Sequence, residues 1–429
     1  MIDINLIREN PDLIKENIKK KFQDKKLILV DEILNLDEKW RKLKFDEDKV
    51  RSERNKISKE INKLKKEKKD VREKIKEAKE IPERIAKLET KRKKFEEKIR
   101  KIQSEIPNII SENVPIGRDD SENVVEKKIG KIRKFDFKIK SHLEIAENLG
   151  MVDFDSSARV SGNGFYYLQD DLALLNVALI NYARDIMVKK GFRYVETPYL
   201  LREEIIDKVT DLNDKENQIY VIKGEDLALI GTSEHSLISR YAEQEINEKK
   251  LPIKQTSYSM CFRKEIGAHG IDEKGLFRTH QFNKIEMIVI CKPENSERFY
   301  QEIQNITIEI FEKLGIPIQI LKICSGDLGD LKYEQIDIEA YSPRKEGYIE
   351  VGSCSNLTDA QARKLGISVM IKGERIIPHT LNNTAIATPR ALVAIIENLQ
   401  QKDGSIKIPK VLISYMNGKK VIKSEKEKK

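Results

Sequence analysis

From residue 21 to residue 107 the chain carries no glycine and is dense in lysine and glutamate, and its apolar residues recur at heptad steps. One series runs Leu36, Trp40, Leu43, Val50, Ile57, Ile61, Leu64 and Val71. A second runs Ile81, Ile85, Leu88, Phe95, Ile99, Ile102 and Ile106. Steps of three, four and seven draw a single stripe along a helix. The remaining surface is charged, so neither helix is stable alone. An antiparallel hairpin, a short coiled coil, buries both stripes. Its turn is expected in the polar stretch Lys65 to Asp70, or further on if Pro82 starts the second helix. Residues 1–20 read as a short amphipathic helix broken or restarted at Asn10-Pro11.

The texture changes after Pro107. Pro115, Gly117 and Gly130 suit a connector. Leu172 to Lys190 has helical spacing, Gly191 stops it, and Phe192 to Thr197 reads as a strand ending at Pro198. Residues 254–263, 281–291, 318–323 and 334–341 alternate like antiparallel strands, and 390–400 form an apolar helix. Strands without a βαβ rhythm indicate an α+β fold with a mainly antiparallel sheet flanked by helices. The expected division is a helical arm over 1–110, a connector over 111–140, a body over 141–416 and a disordered lysine-rich tail over 417–429.

A net charge of +9 suits a polyanionic partner, and equally suits lysines that merely keep the chain soluble. Cys261, Cys291, Cys324 and Cys354 form no CxxC pair, which gives neither a zinc-ribbon spacing nor a disulfide framework. Reduced thiols, an acidic rather than apolar start and the lack of an 18-residue apolar run lead us to expect a cytoplasmic protein without a membrane span.

Several short motifs bear chemistry. Phe262-Arg263-Lys264-Glu265 and His280-Gln281-Phe282 sit at the ends of two strands around a loop with Gly267, His269, Gly270, Gly275 and Arg278. Arginine's rigid fork suits a carboxylate and a phosphate together, and an exposed phenylalanine can stack on a base. The bland alternative is a hairpin with surface arginines. Thr232-Ser233-Glu234 offers groups for an ammonium. Glu286 lies within an apolar strand, where a carboxylate must be paired or hydrogen-bonded. Glu350-Val351-Gly352-Ser353 offers hard oxygen ligands suited to Mg²⁺. Asn382-Asn383-Thr384 leads through Arg390 into the last helix.

In this order the motifs resemble a class II aminoacyl-tRNA synthetase. The TSE run, the glutamate of Ile285-Glu286-Met287 and the HTLNNTA run with Arg390 narrow the resemblance to the seryl-tRNA synthetase family, over nearly the whole length. The resemblance implies a class II sheet and a homodimer built through residues 191–198. It implies ATP bound by Arg263, Lys264, Glu265, Thr279, Phe282, Glu350, Val351, Gly352, Ser353 and Arg390, with Glu350 and Ser353 on Mg²⁺. Arg263 would bridge the amino-acid carboxylate and the α-phosphate, and Arg390 would hold the terminal phosphate. Serine would meet Thr232 and Glu234 through its amine and Glu286 and Thr384 through its hydroxyl, with Ser233 also in the serine site. The arm would hold tRNA(Ser), and tRNA(Sec) where that tRNA exists, with Arg51, Arg54, Lys56, Lys59, Lys63 and Lys65 as candidate contacts. No zinc is expected. Trp40 falls on the heptad seam and reads as packing. An inactive paralogue would lack Arg263, Glu350 or Arg390, and a ligase acting on carrier proteins would lack the arm.

Overall fold

The computed structural model describes residues 1–210, 217–265 and 275–424. Gly267, His269, Gly270 and the last five residues of the tail lie outside them. The chain forms two units, Met1–Pro107 and Asn108–Lys429.

In the first unit, α1 (Ile4–Glu9) is capped by Asp3, and α2 (Pro11–Lys20) begins on Pro11. The hairpin consists of α3 (Leu27–Lys66) and α4 (Arg72–Glu105). The turn therefore falls where the polar run placed it, and Pro82 lies inside α4 on an exposed face. Its neighbours Ile81 and Ile85 pack against Val50 and Ile57 across the hairpin. The buried stripe also contains two carboxylates that a search for apolar residues passes over, Asp37 (2% exposed) and Glu47 (1%). Asp37 accepts hydrogen bonds from Arg8 at 2.6 and 2.7 Å and from Arg41 at 2.9 Å. Glu47 accepts from Arg51 on its own helix and from Arg92 on the partner helix, both at 2.8 Å. Burial pushes both carboxyls up, but the arginine hydrogen bonds outweigh it and hold them below their ordinary range. Trp40 is half-buried on the seam, with the Arg92 guanidinium 6.0 Å from its ring centre.

The second unit is built on an eight-stranded sheet. Its strands are β1 (Val124–Ile129), β2 (Arg193–Tyr194), β3 (Ile253–Phe262), β4 (Gln281–Cys291), β5 (Ile318–Lys322), β6 (Glu334–Ser342), β7 (Gly347–Thr358) and β8 (His379–Ala387). They lie in the order β1-β5-β6-β7-β8-β4-β3-β2. All neighbours are antiparallel except β2 and β3. Three helices bury one face: α5 (Asp170–Lys189), α7 (Ser296–Leu314) and α9 (Thr388–Leu399). Ile285, Met287 and Val289 of β4 belong to that core. The intervening Ile288 and Ile290 pack instead with Leu237 and Ile238 of α6 (Ser233–Ser239) and with Ala362 of α8 (Ala360–Lys364). Because side chains alternate along a strand, Lys284 and Glu286 share this second face.

Three expectations change. Residues 111–140 are more than a connector, since β1 forms one edge of the sheet. Of the strand expected over 192–197, only Arg193–Tyr194 pairs. The tail does not fray at Asn417: Val421 and Ile422 pair with Ile406 and Lys407, and Ile422 is fully buried. A buried apolar anchor explains why lysine content alone misjudged this segment.

Candidate active site

A cavity of about 340 Å³ opens on the second face of the sheet. One wall is β4, through Phe282, Lys284 and Glu286, together with the segment that follows β3. Arg263, just past the end of β3, donates from Nε to the Gly231 carbonyl at 3.2 Å and lies 5.4 Å from the ring centre of Phe282. Its backbone is held at both ends by His280, whose carbonyl accepts Arg263 N–H and whose Nδ1 meets Arg263 O at 2.9 Å. His280 thus positions the arginine and does not face the substrate space. Glu265 has φ of 49°, a left-handed conformation unusual for glutamate, and lies 3.6 Å from Arg278.

On β7, Glu350 pairs with Arg390, the third residue of α9, at 2.9 Å. Burial pushes the Glu350 carboxyl up, but Arg390 prevails and holds it low. Arg390 also lies 5.3 Å from the ring centre of Phe277. Asp337 stands opposite Ser353 in the β6–β7 ladder. Burial and the nearby Glu350 push its carboxyl up, with Gln335 donating to it at 2.6 Å. Two carboxylates and a hydroxyl crowded in this way form a hard-oxygen donor set whose mutual repulsion a divalent cation would relieve.

One end of the cavity is a row across β4, β8 and the start of α6. Glu286 stands opposite Ser257 on β3 and Thr384 on β8. The hydroxyls of Thr384 and Thr232 donate to Glu286 Oε2 at 3.4 and 3.5 Å. Thr232 also caps α6 by accepting the Glu234 N–H. Glu234 accepts from Gln361 of α8 at 2.8 Å. Burial and then Glu286 push the Glu234 carboxyl up. His235 lines the same end, and burial drives it down to about 3, so it is neutral.

Of the residues expected at the site, Thr232, Glu234, Arg263, Glu265, Thr279, Phe282, Glu286, Glu350, Val351, Gly352, Ser353, Thr384 and Arg390 all line this cavity. Two do not. Ser233 is fully buried and donates to the Ser257 carbonyl at 3.3 Å, because the helix turn that presents Glu234 rotates its neighbour into the sheet. Lys264 places its backbone N–H on Gln218 and contributes no lining. Sequence reading missed Lys284, Asp337 and Phe277, which also line the cavity, and gave Asn382, another lining residue, only as part of a motif. The spacing of two puts Lys284 on the same strand face as Glu286 but does not say that this face is buried. On the arm, Arg54, Lys56, Lys59, Lys63 and Lys65 are exposed, whereas Arg51 is held by Glu47.

Residues 219–399 match the class II tRNA synthetase core domain (G, H, P, S and T), and residues 1–110 match the seryl-tRNA synthetase N-terminal domain. The serine–tRNA ligase of Methanoregula boonei is 43% identical, across 98% of this chain and all of its own. That of Pyrococcus furiosus is 40% identical, across 100% of this chain and 99% of its own. The chain belongs to the seryl-tRNA synthetase family. The crystal structure of seryl-tRNA synthetase from Pyrococcus horikoshii complexed with ATP superposes with a TM-score of 0.91 at 40% identity, covering 99% of this chain and all of its own. The cytoplasmic enzyme of Naegleria fowleri, in complex with AMP, gives 0.88 at 35% identity, with 99% of each chain covered. The seryl-tRNA synthetase likeness therefore spans hairpin and body together. A prolyl-tRNA synthetase from Giardia lamblia shares only the fold, at 17% identity and a TM-score of 0.56.

Proposed function

We propose that the chain activates L-serine with ATP and transfers the seryl group to the 3′ end of tRNA(Ser). The carrying observation is one cavity that combines Arg263 and Arg390 with a carboxylate, Glu286, bracketed by two threonine hydroxyls. Serine's carboxylate attacks the α-phosphate and pyrophosphate leaves. The attacking group is already an anion, so the barrier lies in bringing anions together and neutralising the developing charge. Arg263 serves that need at the α-phosphate and Arg390 at the terminal phosphate, while Phe282 stacks the base. Glu350 and Ser353, with Asp337 beside them, would hold Mg²⁺, whose charge offsets that of the phosphates. A ribose hydroxyl of the tRNA end then attacks the seryl carbonyl and AMP leaves. Glu286 and Thr384 select serine, because an amino acid without a hydroxyl leaves buried polar groups unpaired.

The hairpin holds tRNA through Arg54, Lys56, Lys59, Lys63 and Lys65. The chain works as a homodimer, a reading supported by Leu174, Val177 and Val188, which lie on one face of α5 and are about half exposed in the single chain. No described helix is long and apolar enough to cross a membrane, consistent with work in the cytoplasm. Serine-dependent ATP–pyrophosphate exchange tests the reading, followed by charging of tRNA(Ser) with and without residues 25–105. Absence of exchange overturns the activity. Normal charging by the armless chain overturns the role of the hairpin.

A further inference from the structure

The serine end of the cavity contains a cation that no step above uses. Lys284 and Glu286 point to the same face of β4, and Lys284 Nζ lies 2.5 Å from Glu286 Oε2. Both side chains are more than nine-tenths buried, and both line the cavity. The oxygen that Lys284 holds is the one on which the Thr232 and Thr384 hydroxyls converge. A second carboxylate, Glu234, stands in the same end of the cavity, tied to Gln361. His235 is neutral, and Arg263 is turned to the Gly231 carbonyl and the Phe282 ring.

The charges in this enclosure are therefore two carboxylates and one lysine, with room for one further cation. Serine brings one, its α-ammonium. Without Lys284 the two buried carboxylates would be equivalent partners for an ammonium, and Glu286 would attract positive charge rather than a neutral hydroxyl. We propose that Lys284 is a specificity-determining positioning residue. By neutralising Glu286 it reserves Glu234 for the substrate's α-ammonium and leaves Glu286 as an acceptor for an uncharged side-chain hydroxyl. The site thereby discriminates by charge as well as by hydrogen bonding, and it turns away amino acids with a cationic β-substituent of serine's size. This deepens the proposed activity and rests on it.

L-2,3-diaminopropionate, which carries an amine in place of serine's hydroxyl, is the probe. ATP–pyrophosphate exchange is measured with serine and with diaminopropionate for the unaltered chain, Lys284→Met and Lys284→Arg. Binding of ATP, held by other residues, reports that each variant is folded. We expect Lys284→Met to raise the KM for serine and to lower the serine-to-diaminopropionate ratio of kcat/KM at least tenfold, with Lys284→Arg restoring most of the ratio. A ratio unchanged in Lys284→Met, or both substrates losing activity equally, overturns the inference while leaving the activity standing. If Lys284→Met does not fold, a ratio in Lys284→Arg equal to that of the unaltered chain supports the charge assignment, and a collapsed ratio overturns it. Absence of serine-dependent exchange in the unaltered chain overturns the activity and the inference together.

Discussion

Thr384 contributes one hydroxyl to the row around Glu286 and nothing to the ATP end of the cavity. Thr384→Val keeps the shape and removes a hydrogen bond to a charged group. Serine activation should then fall about 10–100-fold in kcat/KM while the low rate with alanine is unchanged, read by pyrophosphate exchange. Glu286 was legible in the sequence because a lone carboxylate in an apolar strand demands a partner. Lys284 was not. In Lys284-Ile285-Glu286-Met287 the polar residues alternate with apolar ones, which reads as a strand with one face in water. That face is instead buried, with Lys284 and Glu286 lining one end of a cavity, and alternation cannot tell the two apart. Ser233 shows the converse limit, since adjacency to Thr232 and Glu234 says nothing about which way a helix turn points it.

Whole elements were read unevenly for a similar reason. The hairpin and the strand pair β3–β4 follow from spacing alone. The strands β7 and β8 were recognised only as motifs, because Ser355, Asn356, Asn382 and Asn383 place buried polar residues where a core strand should be apolar. Asn383 finds its partners on α7, where its Nδ2 donates to the Ile303 carbonyl at 2.7 Å and to the Thr307 hydroxyl at 2.9 Å. In the hairpin the unexpected feature is Glu47. Replacing Arg92 with alanine removes its cross-helix partner and should destabilise the arm by about 2 kcal/mol, visible as an earlier loss of helical signal in urea. Because Asp37 and Glu47 are held below their ordinary values of 3.8 and 4.5, their stabilisation is complete above those values. It is lost as the pH falls below them. The helical arm should therefore weaken in acid below about pH 4.5, and Arg92→Ala should flatten that dependence. Pro82 acts in the opposite direction. It removes a hydrogen bond within α4, so Pro82→Ala should stabilise the arm by up to about 3 kcal/mol in the same unfolding measurement.

At the scale of the molecule, composition concealed two regions with different tasks. The net charge of +9 gave no partner by itself. Exposed Arg54, Lys56, Lys59, Lys63 and Lys65 on α3 localise part of it on the arm. Neutralising these five should weaken tRNA binding and flatten its salt dependence by about 0.7–0.9 log unit for each phosphate no longer neutralised. Serine-dependent pyrophosphate exchange should be untouched. Titration of tRNA at several salt concentrations separates that outcome from simple unfolding of the arm.

The Glu47–Arg92 bridge also makes the hairpin a ruler with a fixed zero mark. Beyond it, α3 and α4 run to the turn as a matched pair, so paired deletions of seven residues from each helix preserve the facing of every seam position. Each such step shortens the arm by about 10 Å. A graded set of these shortened chains would measure how far from the bridge the tRNA must be gripped, an interval that the protein's own geometry marks out in heptads.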